Sequence, residues 1–123
     1  SRDLILNASD FPFSERERTI IASVARYHRG ALPKDKHDHF AALSPVDQYH
    51  VTILAALLRV GDGLDRTHRN VVQDLSCEVS PEQIAVDCAV RMYAVPERDA
   101  ALEKGDLLKR TFDRELLIEW HLV

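Results

Sequence analysis

Leu75-Ser76-Cys77-Glu78-Val79-Ser80-Pro81-Glu82-Gln83-Ile84-Ala85-Val86-Asp87-Cys88-Ala89-Val90 is the stretch that decides the fold class. Leu75, Cys77 and Val79 alternate with Asp74, Ser76 and Glu78. Ile84, Val86, Cys88 and Val90 then alternate with Ala85, Asp87, Ala89 and Arg91. Successive side chains on a strand point to opposite faces, so a period of two marks two half-buried strands. Ser80-Pro81-Glu82 between them reads as a turn. The pair is a hairpin with a cysteine on each inner face, which predicts two buried, unbridged thiols at Cys77 and Cys88.

Toward the C-terminus, Pro96 opens a helix running to about Lys109, with a weak point at Gly105. Leu116, Ile118, Trp120 and Leu122 alternate again and predict a third strand. Toward the N-terminus the period lengthens. Ser14 followed by Glu17 is a capping box, and Ile20, Ile21, Val24, Ala25 and Tyr27 recur at helical spacing until Gly30. A polar connection containing Pro33 follows, with a short helical turn around Phe40 to Leu43. Ser44-Pro45 then places a capping serine before a proline at the first helical position. The helix it opens carries Val46, Tyr49, Ile53, Leu54, Leu57, Leu58 and Leu64 on a broad apolar face. The reading is α+β: a single domain over 1–123, with a helical part over 1–69 and a sheet part over 70–123. The sheet is expected to be small, antiparallel and three-stranded, with one helix before its last strand.

Composition narrows the function classes. A chain of 123 residues, 46% apolar and 29% charged, is sized and composed for one soluble globular domain. No apolar run approaches the roughly 18–20 residues that span a bilayer, so no membrane partner is expected. The net charge of -4 speaks against a general nucleic-acid binder. Two cysteines without a scaffold spacing fit a cytoplasmic protein. Ser1 to Asn7 begins inside an amphipathic stretch with no start signal, which predicts that the chain is a segment of a longer protein.

Three clusters could carry chemistry. Arg26-Tyr27-His28-Arg29-Gly30, with Lys34 and Lys36 beyond it, groups five cationic or titratable side chains at a helix end. Guanidinium forks and ammonium charges grip phosphate oxygens, but basic residues in a last helical turn also complement the helix dipole. Arg59-Val60-Gly61-Asp62-Gly63-Leu64-Asp65-Arg66-Thr67-His68 puts carboxylates at the end of an apolar helix, where they need an ion pair or a metal. A structural ion pair of Asp62 or Asp65 with Arg59, Arg66 or a neighbour from another helix is the simpler account. Lys36-His37-Asp38-His39 contains a literal His-Asp pair, yet it lies in a polar connection instead of on a helix within a buried cluster, and is set aside as a metal site. His50 and His121 stand alone as surface or packing residues.

Leu4-Ile5-Leu6-Asn7-Ala8-Ser9-Asp10-Phe11-Pro12-Phe13-Ser14, the Ala25 to Pro33 run, and Leu54 to His68 together resemble the C-terminal domain of the Ppx/GppA exopolyphosphatase family. Ala101-Leu102-Glu103-Lys104 and Phe112-Asp113-Arg114-Glu115-Leu116 are similar to its final helix and strand, so the resemblance covers essentially the whole chain. It implies an HD-like helical domain in an enzyme that removes terminal phosphates from inorganic polyphosphate or guanosine pentaphosphate. That chemistry is expected in N-terminal actin-like ATPase domains carrying a divalent metal, magnesium by expectation. No catalytic residue, metal ligand or cofactor is expected in this segment. Arg26, His28, Arg29, Lys34 and Lys36 would bind polyphosphate, and His28 and Asp62 would be relics of an HD-like cluster. The partners implied are the polyanion, the catalytic domains of the same chain, and a second copy in a homodimer. Two other readings stand beside this one: a dimerisation scaffold that binds nothing, and a vestigial HD-type metal phosphohydrolase.

Overall fold

The computed structural model describes residues 2–7, 12–34 and 37–123. The chain forms α1 (Arg2–Leu6), α2 (Glu15–Tyr27), α3 (Asp38–Ala41), α4 (Pro45–Leu64), β1 (Val72–Val79), β2 (Gln83–Val90), α5 (Val95–Glu103), α6 (Asp106–Phe112) and β3 (Glu115–Leu122). It divides into two compact units, 1–55 and 56–123.

In the first unit the helix starts follow from side-chain capping. Ser14 and Glu17 close both halves of the predicted box: the Glu17 amide donates to Ser14 Oγ at 3.1 Å and the Ser14 amide donates to Glu17 Oε1 at 2.9 Å. These bonds satisfy donors that the first turn of a helix leaves orphaned, and they hold the Glu17 carboxyl below its ordinary range. Ser44 does the same for α4, accepting from the Asp47 amide at 3.1 Å. Ala22, Val24, Tyr27, Phe40, Val51 and Ala55 are buried here.

The Asp47 carboxylate is only 3% exposed. Arg16 reaches it from α2 with both arms of its fork, at 2.8 and 2.6 Å. Those hydrogen bonds, with lesser help from the guanidinium charge and Ser44, hold the Asp47 carboxyl below the ordinary aspartate value against its own desolvation. The folded carboxyl thus releases its proton more readily than the unfolded one. Its stabilising contribution is complete above the unfolded value and is lost as pH falls through the lower folded value. The Asp47→Asn variant should therefore show a shallower loss of Tm than the parent between about pH 5 and about pH 2. Parallel acid limbs in a thermal-melt series would contradict this.

In the second unit the sheet order is β1-β2-β3. The hairpin pairs antiparallel as predicted, Leu75 with Cys88 and Cys77 with Val86. The third strand corrects the expectation of an all-antiparallel sheet: β3 runs parallel to β2, from Gln83 opposite Glu115 to Val90 opposite Leu122. The reason lies in the connection. Two helices stand between β2 and β3, and they carry the chain back to the end where β2 began, as a parallel neighbour requires. The single helix predicted there is two, broken at Lys104 and Gly105. A Cβ at Gly105 would collide with the Leu116 side chain of β3, so the weak point doubles as a packing contact.

Only one of the two thiols behaves as predicted. Cys88 on the central strand is buried, whereas Cys77 is exposed because β1 is an edge strand whose apolar face is left open. Burial first, then the charges of Asp87 and Cys77, push the Cys88 thiol up to about 11. Such a group is ionised at about one part in 10⁴ at neutral pH. A thiol reagent should consume one equivalent rapidly in the native protein and the second only on unfolding, with Cys77→Ser removing the rapid phase. Two rapid equivalents would show that Cys88 is accessible.

Candidate functional site

The site begins at the C-terminal end of α2. Its sequence runs helical until His28, which caps it with φ -78° and ψ -13° and donates its amide to the Val24 carbonyl. The His28 imidazole Nδ1 lies 2.7 Å from the Ala25 carbonyl oxygen. A carbonyl only accepts, so Nδ1 carries the proton. Nε2, the remaining nitrogen, receives a long 3.4 Å contact from Arg29 Nε.

Arg26 is half-buried, its guanidinium carbon 5.5 Å from the centre of the Tyr27 ring. Arg29 and Lys34 are exposed. Lys36 lies outside the described residues. Among the described residues, no carboxylate forms an ion pair with Arg26, Arg29 or Lys34. That contrasts with Arg16 and Arg59, both engaged by aspartates.

Two features were not legible in the linear sequence. The Tyr27 ring is buried and its hydroxyl lies 2.6 Å from His37 Nδ1, with the two rings stacked at 5.5 Å and Phe40 set edge-on at 5.7 Å. The His-Asp pair set aside as a metal site is thus an anchor: His37 ties the polar connection to the helix end. Arg2 is the second feature. Its charge, from α1, acts with that of Arg26 on the Tyr27 hydroxyl, although burial outweighs both and leaves that hydroxyl harder to ionise than usual. Arg2 adds a cation near the end of α2 that only the packing of α1 on α2 could reveal.

Asp62, the other residue assigned to an HD-like relic, belongs to the second unit. Its Oδ2 accepts from Lys104 Nζ at 2.5 Å, an ion pair supplied from the end of α5. The ion-pair reading of this segment is the one observed, with Lys104, a neighbour from another helix, as a partner. Arg59 is paired as well, but with Asp106 of α6, at 3.1 Å. Among the described residues, no group of three or more His, Cys, Asp and Glu side chains is placed to hold a metal ion.

The family model for Ppx/GppA phosphatase, domain III, matches residues 3–114. The chain belongs to the Ppx/GppA phosphatase family. The match takes in the α2 end, the α4 helix with its Asp62 segment, the hairpin and the two crossover helices, and it stops as β3 begins. No curated protein matches the chain. No helix among the described residues is long and apolar enough to cross a membrane. As a Ppx/GppA domain III, the chain stands in a phosphatase family.

Proposed function

We propose that this domain III holds a polyanion for its parent phosphatase. Arg26, Arg29 and Lys34, with His28 and Lys36 beside them, would contact phosphate oxygens of inorganic polyphosphate or guanosine pentaphosphate. One observation carries the reading: among the described residues, no carboxylate pairs with Arg26, Arg29 or Lys34, in a chain whose net charge is negative. Guanidinium groups left without counter-charges are poised to receive oxyanions in two-pronged hydrogen bonds. Hydrolysis of the terminal phosphate, and the divalent metal it uses, belong in this reading to catalytic domains of the same protein. His28 holds Nδ1 on a backbone carbonyl and leaves Nε2 facing Arg29. An HD-like ancestry for His28 and Asp62 is compatible with this role and supplies no chemistry to it. The setting is taken to be cytoplasmic.

A long polymer touching several cations gains from effective concentration, since each further contact is intramolecular once the first is made. Contacts between exposed charges are screened by salt. Titration of the chain with long-chain polyphosphate should give saturable binding that weakens as salt rises. The double variant Arg26→Ala, Arg29→Ala should bind about tenfold more weakly, equivalent to ~1.4 kcal/mol, and short triphosphate should lose less than the polymer. Unchanged affinity in the double variant, or equal losses for long and short ligands, would overturn the proposal.

A further inference from the structure

The second unit carries an open strand edge with two unlike faces. Among the described residues β1 pairs with β2 on one side only, and every residue from Gln73 to Val79 is exposed. Natural edge strands are blunted by lysine, proline, inward charges or brevity. β1 has eight residues and none of lysine, arginine or proline among them; its single irregularity is a register shift near Val72 and Asp74.

Leu75, Cys77 and Val79 share the face of β1 that continues Cys88, Val86 and Ile84 of β2. Leu75 is 45% and Val79 66% exposed. They wall an apolar groove of about 370 Å³, closed on its other sides by Leu57, Leu64 and Leu108 among others. On the opposite face stand Asp74 and Glu78 of β1, Asp87 of β2 across from Ser76, and Glu119 of β3 across from Asp87. His121 lies 2.9 Å from Asp87. Among the described residues, no lysine or arginine forms an ion pair with Asp74, Glu78 or Glu119.

We propose that the free edge of β1 takes an extended segment of a partner protein in which apolar and basic residues alternate. A strand added to an edge gains main-chain hydrogen bonds, and its side chains fall alternately on the two faces of the sheet. Beside β1, the apolar set enters the groove next to Leu75, Cys77 and Val79, while the basic set stands beside Asp74 and Glu78, within the range at which cross-strand pairs interact. A second copy of this chain is a poor occupant. An antiparallel β1–β1 pair would set Asp74 and Glu78 of one chain against those of the other, and like charges across strands destabilise. Among the described residues, no strand supplies a lysine or arginine to meet them.

The test uses the intact chain and labelled nine-residue peptides, read by fluorescence anisotropy. A peptide alternating valine with lysine should bind saturably. One alternating valine with glutamate, a shuffled isomer, and a version N-methylated on alternate residues should each bind at least tenfold more weakly. The double variant Asp74→Lys, Glu78→Lys, at two exposed positions, should lose the lysine peptide and gain the glutamate one. Leu75→Asp, which alters the groove without touching the acidic face, should weaken both. Equal binding of the N-methylated or shuffled peptide would reduce the effect to charge attraction and overturn strand addition. So would unchanged binding by either protein variant, or a dimer in sedimentation whose β1 amides already resist hydrogen exchange without peptide.

Discussion

Gly63→Ala is expected to destabilise the protein by about 2 kcal/mol, although alanine favours helix over glycine by ~1 kcal/mol. Gly63 sits in the last turn of α4 at ordinary helical angles, so no left-handed backbone conformation demands glycine there. The demand comes from a neighbouring helix. A Cβ on Gly63 would lie 2.7 Å from the backbone nitrogen and Cα of Ala101 and 2.8 Å from the Ala100 carbonyl carbon. No flexible side chain can move aside at those atoms, so α4 and α5 would have to separate. Overpacking of this kind typically costs about 1–3 kcal/mol. Ala101 is itself fully buried, which places the cost in the core. Gly61, two residues earlier, has nothing within 4 Å of its would-be Cβ. Gly61→Ala should therefore stabilise by about 0.5–1 kcal/mol. Urea midpoints measured at constant slope resolve the two effects. Shifts of the same sign in both variants would show that helix propensity, and not the approach of α5, governs this end of α4.

Asp106→Ala is expected to cost about 1.5–3 kcal/mol, the range for a hydrogen bond to a charged group. Arg59→Met should change stability by less than ~1 kcal/mol in either direction. The asymmetry follows from where the two partners sit. The Arg59 side chain is 7% exposed and the Asp106 side chain 49%. Removing the aspartate takes the carboxylate contacts at 3.1 and 3.4 Å away from a guanidinium in the interior. Removing the arginine leaves a carboxylate that water can solvate, and methionine fills most of the vacated volume. Asp106 also begins α6, accepting from the Leu107 amide at 2.7 Å. Asp106→Asn separates that local role from the ion pair, since the amide can still cap but carries no charge. Equal losses for Asp106→Ala and Arg59→Met in a double-mutant cycle would contradict the argument.

Much of this molecule was legible before its structure. The capping box at Ser14, the capping serine at Ser44, the stop near Gly30 and the hairpin about Ser80-Pro81 are all as predicted, because each is set by side chains within about four residues of the backbone they govern. The strand alternation is likewise local, and the family followed from motifs spread along the chain. The cations at the end of α2 could be named from their types alone. Whether they were free or paired could not, since the helix dipole accounts for the same residues.

Pairings distant along the chain belong to the tertiary structure. Arg16 meets Asp47, Asp62 meets Lys104 and Arg59 meets Asp106 across separations of 31, 42 and 47 residues. The segment around Asp62 predicts an ion pair with a nearby arginine or with another helix, and neither local charge nor spacing singles out Lys104. The parallel run of β3 depended on the helical connection from β2, which returns the chain to the end where β2 began. Alternation predicts a strand equally well in either direction. The exposure of Cys77 depended on β1 being the outermost strand, a matter of sheet order. Periodicity and capping act over a few residues and are written in the chain. Strand direction, edge position and the choice among ionic partners are settled only when distant segments compete for the same space.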